Sequence, residues 1–425
     1  MIRGLAHLAA RSAWNRRYTL ALTVLSIALA SFLLLVVERL REDVRTSFAQ
    51  SVSGTDLIVG ARTGSVQLLL YSVFRIGNAT NNIRSASLDD LARHRAVDWI
   101  VPLSLGDSHR GYAVLGTSTG YFEHFRYGDR QPLAIATGRT FSGTLDGLYE
   151  AVIGAEVADR LNYVIGQKIT LSHGSGEGLG AEHADKPFTI VGILKRTGTP
   201  VDRTVHVSLE AISAIHLDWA GGAPVPGLTI PAEAARKFDL APKEVTAALV
   251  GLRNRAAVFA VQRAVADYER EPLMAVLPGV ALDELWEAVG LGERALQGMS
   301  ILVGLVSLAG LVAVVMASLN ERRRELAVLR AVGAAPRHVL WLLALEGLMI
   351  TAAGLALGAL AAWASVGLAG PWVQAWQGIT LHLAPPTPTQ WLVIAGVAVA
   401  GLLASLVPGW RAYRMSLADG LSPRT

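Results

Sequence analysis

A run of 19 residues without a charge, Thr19 to Val37, constrains this chain more than any other feature. As a helix it measures about 28 Å, close to the roughly 30 Å hydrocarbon core of a bilayer. A cleaved signal peptide is the rival reading, because Ala28-Leu29-Ala30 resembles a cleavage site, yet the apolar Phe32-Leu33-Leu34-Leu35 follows where a polar mature chain should begin. Three more candidates lie toward the other end: Met299 to Leu319, Val339 to Ala369 with the single charge Glu346, and Gln390 to Trp410. Charged residues make up 17% of the chain, against about 25% in a soluble domain, which fits the same reading. The expected fold class is a membrane protein with four transmembrane α-helices and a large α+β extracytoplasmic domain between the first and second.

Charge placement sets the sidedness. Residues 1–18 carry Arg3, Arg11, Arg16 and Arg17 with no acid, for a net +4. Segment 320–338 is net +3 and tail 411–425 net +2, whereas loop 370–389 has no charge. Since the whole chain is only +4, block 38–298 must be net −4. The basic segments therefore belong in the cytoplasm and the acidic block outside, and the sequence pI of 9.4 offers no support for nucleic-acid binding. The boundaries read as spans at 19–37, 299–319, 339–369 and 390–410, a cytoplasmic N-terminus at 1–18, and an outer domain at 38–298.

Within the outer block, short β-branched runs bounded by Gly, Pro or Asp predict strands at 53–61, 99–105, 112–116, 151–154, 168–171, 188–194 and 205–209. Helices are expected over 87–95, 156–162 and 256–271. His173 to Lys186 reads as a flexible loop, Gly221 to Pro231 as a break where two lobes separate, and Leu282 to Gln297 as a helical stalk.

Asp107-Ser108-His109, His183-Ala184-Asp185, Asp202 to His206 and His216-Leu217-Asp218 are the candidate metal ligands by residue type. None has the His-x-x-x-His spacing of a helical site. The expectation is surface polar residues, and no metal ligand is assigned. The chain is read as having neither a nucleophile elbow nor a His-Glu-x-x-His helix, and no catalytic residue is assigned. It has no Gly-x-x-x-x-Gly-Lys-Ser/Thr phosphate cradle and no cysteine, so neither phosphate-loop ATP binding nor thiol chemistry is expected of this chain.

The most specific segment is cytoplasmic. In Asn320 to Ala334, Leu326, Leu329 and Val332 fall on one side of a helix and charges on the other, with Gly333 and Pro336 as a stop. Such a stripe suits docking into a groove on a partner protein; a basic loop that only sets topology is the alternative. The run Arg324-Glu325-Leu326-Ala327-Val328-Leu329-Arg330-Ala331-Val332-Gly333-Ala334 closely resembles the coupling helix of MacB/FtsX-type ABC transporter permeases. The close Pro408-Gly409-Trp410-Arg411, with Leu417 to Leu421, resembles that family's ending. Val152-Ile153-Gly154, Ile165-Gly166-Gln167 and Pro187 to Leu194 resemble its MacB-like periplasmic core.

This resemblance implies a permease subunit of the bacterial inner membrane, with its large domain in the periplasm. No cofactor would be bound directly; ATP and Mg would be used by a cytoplasmic ABC ATPase dimer contacted through Arg324, Glu325, Leu326, Leu329, Arg330 and Gly333. The short segment before the first span leads us to expect the split arrangement of FtsX and LolC-like subunits. Four spans give too little surface to enclose a conduit, so a second permease copy is expected, with a periplasmic or lipoprotein partner and a lipoprotein, peptide or amphiphile as cargo. An FtsX-like regulator that activates a periplasmic partner is the alternative function. Gly354 and Gly358, spaced Gly-x-x-x-Gly, are expected at helix contacts, as ordinary bundle packing also predicts. Glu346 would cost about 2.5–3.5 kcal/mol in lipid; the choice is between a transported-ion site and a carboxylate paired within the bundle, and Glu in similar permeases favours the latter.

Overall fold

The computed structural model describes residues 17–174, 182–220, 223–321, 330–331, 333–377, 381 and 383–414. They form two compact units.

The outer unit, Val44–Val289 with Val373–Thr380, is built on one sheet of eleven strands. In chain order these are β1 (Leu57–Ala61), β2 (Val97–His109), β3 (Tyr112–Thr117), β4 (Ile135–Gly138), β5 (Glu150–Ile153), β6 (Lys168–Ile169), β7 (Ser172–His173), β8 (Phe188–Leu194), β9 (Thr204–Ser208), β10 (Ala247–Leu252) and β11 (Leu273–Val276). The order across the sheet is β11-β1-β10-β2-β3-β9-β5-β8-β4, with β7 paired to β2 and β6 to β8. Two pairs, β9 with β3 and β8 with β5, are parallel.

Side-chain alternation sends successive residues to opposite faces. Ile58 and Val152 enter one apolar cluster, while their neighbours Leu57 and Val59, and Ala151 and Ile153, enter others. Burying β1 on both faces explains why all five of its residues are inaccessible. Helices Ser85–Ala92 (α2) and Val258–Ala266 (α5) supply Leu88, Val261 and Val265 to one of these clusters. Ala155–Leu161 (α3) and Leu209–Ile215 (α4) supply Val157, Ala211 and Ile215 to another. The sheet takes strands from both sides of Gly221 to Pro231, so this segment does not divide the unit.

The second unit holds the long apolar helices: α1 (Arg17–Gln50), α6 (Pro278–Glu321), α7 (Pro336–Gln377) and α8 (Pro388–Arg414), of which α1, α6 and α7 also run into the outer unit's sequence. Each contains a stretch long and apolar enough to cross a bilayer. Helix α7 extends through Pro371 to Gln377, beyond the expected end at Ala369; proline is tolerated in helices of this environment, where neighbouring groups satisfy the freed carbonyl. Leu20, Ile27, Leu311, Val315, Leu343 and Ile350 pack together as the core of this unit.

Candidate functional site

Of the expected partner-docking residues, Arg330 is helical and Gly333 adopts φ +102°. The Gly333 amide donates to the Arg330 carbonyl at 3.0 Å, and α7 starts three residues later at Pro336. Only glycine accepts that backbone conformation without strain. Arg324, Glu325, Leu326 and Leu329 lie outside the described residues.

Gly354 and Gly358 stand where α7 meets α1. A Cβ on Gly354 would come within 2.7 Å of Ile27, and one on Gly358 within 2.6 Å of the Ala28 carbonyl oxygen. The Ser307 hydroxyl donates to the Ser26 carbonyl at 3.1 Å, joining α6 to α1, and the Gln390 amide donates to the Leu35 carbonyl at 3.3 Å, joining α8 to α1. Glu346 is buried and engaged with its surroundings.

The outer unit contains a cleft of about 650 Å³, with Phe48, Tyr71 and Phe74 beside Arg75 on its wall and Asp107 and His173 at its margin. At that margin the chain gathers titratable side chains from four places. In β2, Gly106 has φ +145° and the pairing with β3 slips between Leu105 and Ser108, a bulge that re-aims Asp107. His173 of β7 is the cross-strand partner of Asp107, which puts both side chains on one face. Glu182 bridges to Ser172 and the His183 amide donates to the Leu171 carbonyl at 2.8 Å, laying His183 alongside. His216 follows the last turn of α4, where its Nδ1–H donates to the Ile212 carbonyl at 2.8 Å.

One ligand atom from each of Asp107, His173, His183 and His216 lies within 4.8 Å of all the others. His173 Nδ1 is 3.0 Å from Asp107 Oδ1 and 3.1 Å from His216 Nε2, and His216 Nε2 is 3.5 Å from Asp107 Oδ1. Trp219 closes one side, its ring 4.4 Å from that of His183. Next to it the buried Lys186 ammonium donates to both Asp218 oxygens at 2.9 and 3.0 Å, fastening the turn that carries His183 to the segment that carries His216. Burial by itself would raise the Asp107 carboxyl, but hydrogen bonds from His173 and His216 prevail and bring it to about 2. Burial likewise lowers His183, to about 4.

The expectation of surface polar residues is therefore corrected. Asp107, His109, His183, Asp202, His206 and Asp218 are all buried. Three of the four residue groups contribute to one cluster; the fourth does not. Asp202 instead accepts from the Thr197 and Gly198 amides, and His206 faces the Val152 carbonyl. His109 also stays apart, bound to the Thr170 carbonyl and the Tyr163 hydroxyl. His173 falls at the start of the expected loop, where no local spacing marks it; the signal is the β7–β2 pairing, which is not local.

The chain also carries a serine at elbow spacing, contrary to expectation. Gly116-Thr117-Ser118-Thr119-Gly120 does have Gly-x-Ser-x-Gly spacing, between β3 and a short helix. An elbow holds its serine in a strained turn, but Ser118 is not among the residues with positive φ.

Compared with known proteins, residues 19–268 match the family described as MacB-like periplasmic core domain, and residues 298–417 match the family described as FtsX-like permease C-terminal. No curated protein matches. Among solved structures, the periplasmic region of MacB from Actinobacillus actinomycetemcomitans is 9% identical, with a TM-score of 0.33, covering 55% of this chain and 94% of that one. The extracellular domain of the noncanonic ABC-type transporter YknZ from Gram-positive bacteria is 12% identical, with a TM-score of 0.29, covering 52% and 99% respectively.

Proposed function

Because the chain belongs to the MacB/FtsX-type ABC transporter permeases, we propose that it relays ATP-driven movement from a separate cytoplasmic ATPase dimer to its outer domain. The observation that carries this reading is the extent of α6. That helix begins at Pro278, directly after the last strand of the outer sheet, and ends at Glu321, where the expected docking segment begins. Its 44 residues connect the two units without an intervening loop, so a displacement at one end is passed on through the hydrogen bonds that link each turn to the next. ATPase closure on ATP would push segment 320–338 through Arg324, Glu325, Leu326, Leu329, Arg330 and Gly333.

The membrane is the bacterial inner membrane in this reading, and two permease copies work together. Only 22% of the apolar window is buried in α6 and in α8, against 56% in α7, which leaves lipid and a second copy to cover the remainder. The cleft, with aromatic rings beside Arg75, suits an amphipathic cargo such as a lipoprotein, a peptide or a lipid-like molecule, drawn from the outer side of the membrane.

The test is co-purification of a cytoplasmic ABC ATPase with this chain, with its turnover measured in reconstituted membranes. The double substitution Leu326→Asp with Leu329→Asp should abolish both retention of the ATPase and its stimulation by the permease. Undiminished stimulation would contradict the proposal.

A further inference from the structure

We propose that Asp107, His173, His183 and His216 form a four-ligand binding site for a divalent transition-metal ion of the zinc type. This inference is independent of the coupling reading, since it rests on the outer unit alone.

The spacing supports it first. In a tetrahedral site with metal–nitrogen bonds of about 2.0–2.1 Å, neighbouring ligand atoms stand about 3.3 Å apart. The three measured separations among Asp107, His173 and His216 are 3.0, 3.1 and 3.5 Å. The fourth ligand, His183, completes a set that spans no more than 4.8 Å, and a modest side-chain rotation closes it.

Hydrogen bonding separates this account from its main competitor, a proton-shared histidine–aspartate network. Such a network explains Asp107, His173 and His216, which already contact one another. It does not explain His183, which is 1% exposed and has no hydrogen-bond partner for either ring nitrogen. Burying an imidazole so is unfavourable, because no hydrogen bond offsets the water lost by its nitrogens, and a metal ion satisfies one of them. His216 is oriented as metal-bound histidines are: its Nδ1–H is held by the Ile212 carbonyl, so Nε2 is the nitrogen that faces the cluster and ligates once a metal displaces its proton.

Donor chemistry narrows the ion. Three imidazoles and one carboxylate suit zinc and its neighbours, whereas calcium and magnesium take all-oxygen sets and copper(I) prefers sulfur. Four protein ligands fill a tetrahedron, which is the arrangement of holding sites rather than of hydrolytic sites with an open position. Asp107 and His173 also line the cleft, so an ion has a route in, while Trp219 shields the other side. The bound ion would pin β7, the His183 turn and the end of α4 onto β2, joining points as far apart in sequence as 107 and 216. Closing loops of that length from the folded side adds stability that depends on metal concentration.

The test uses the full-length chain in detergent, purified without a histidine tag and stripped with a chelator, then titrated with Zn²⁺ or Co²⁺. One Zn²⁺ per chain is expected, with a rise in thermal midpoint that excess chelator reverses. Co²⁺ should give the intense visible bands of four-coordinate cobalt. His183→Gln and His216→Gln should each weaken binding by at least about 100-fold, more than is typical of an outer-shell change. Should His183→Gln fail to fold, His173→Gln, at a partly exposed position, carries the same test. Absence of stoichiometric binding by the unsubstituted chain, weak six-coordinate cobalt bands, or folded His173→Gln and His216→Gln chains that bind Zn²⁺ as tightly as the unsubstituted chain would overturn the proposal.

Discussion

His206 shows how burial decides what a residue does. Its side chain is fully inaccessible between the rings of Tyr121 and Phe122, with Nδ1 3.2 Å from the Val152 carbonyl. Burial, followed by the charge of Arg75, pushes it down to about 3. A histidine with a lowered value in the fold keeps its full stabilising effect above its unfolded value of about 6.5 and loses it as pH falls toward 3. Between pH 7 and pH 5 the chain should lose on the order of 2 kcal/mol through this group alone. The measurement is unfolding of the full-length chain across that range beside His206→Gln, whose stability should vary less with pH; parallel curves would refute the assignment. Sequence marked His206 as polar and therefore external, because residue type says nothing of the β9 position that sends it inward. The same holds for Asp107, His183 and His216. Their types were visible, and their meeting depends on a bulge at Gly106 and on strand pairings across the sheet.

Among the elements, strands with Gly, Pro or Asp at their ends were legible, and all seven expected runs contain or overlap observed strands. Strand β10, Ala247-Ala248-Leu249-Val250-Gly251-Leu252, was missed although it lies between β1 and β2. It is covered on both faces, so it has no polar alternation to give it away. Helix α4 was missed because its Ser208 cap, which accepts from the Ala211 amide, closes a strand in the sequence pattern. For the spans, apolar length was plain, while the pairing of helices was not, since lipid-facing and helix-facing residues are equally apolar. Gly358 reports that pairing. Its substitution by Leu places atoms against the Ala28 carbonyl, Ser31 and the Phe32 amide of α1, where overpacking costs about 1–3 kcal/mol. A clear drop in thermal midpoint in detergent is expected, with Gly396→Leu, at a position open on every side, as the neutral control. Equal midpoints would show that α1 and α7 do not meet there.

At the scale of the whole molecule, topology was the most legible property, because the cost of placing charge in lipid sorts arginines and carboxylates along the chain. Four long apolar stretches, each adjoining a basic segment at one end, and an acidic block of mixed strand and helix between the first two, leave few alternatives. What sequence alone left open was use: the same topology serves an exporter, an extractor of lipoproteins or a regulator of an outer partner. The absence of cysteine makes the central claim directly measurable. A single cysteine introduced by Arg324→Cys is exposed to a membrane-impermeant maleimide applied from either side, with and without the ATPase. The account predicts labelling from the cytoplasmic side only, and protection once the ATPase is bound. Labelling from the outer side, or labelling from within that the bound ATPase leaves unchanged, would contradict it.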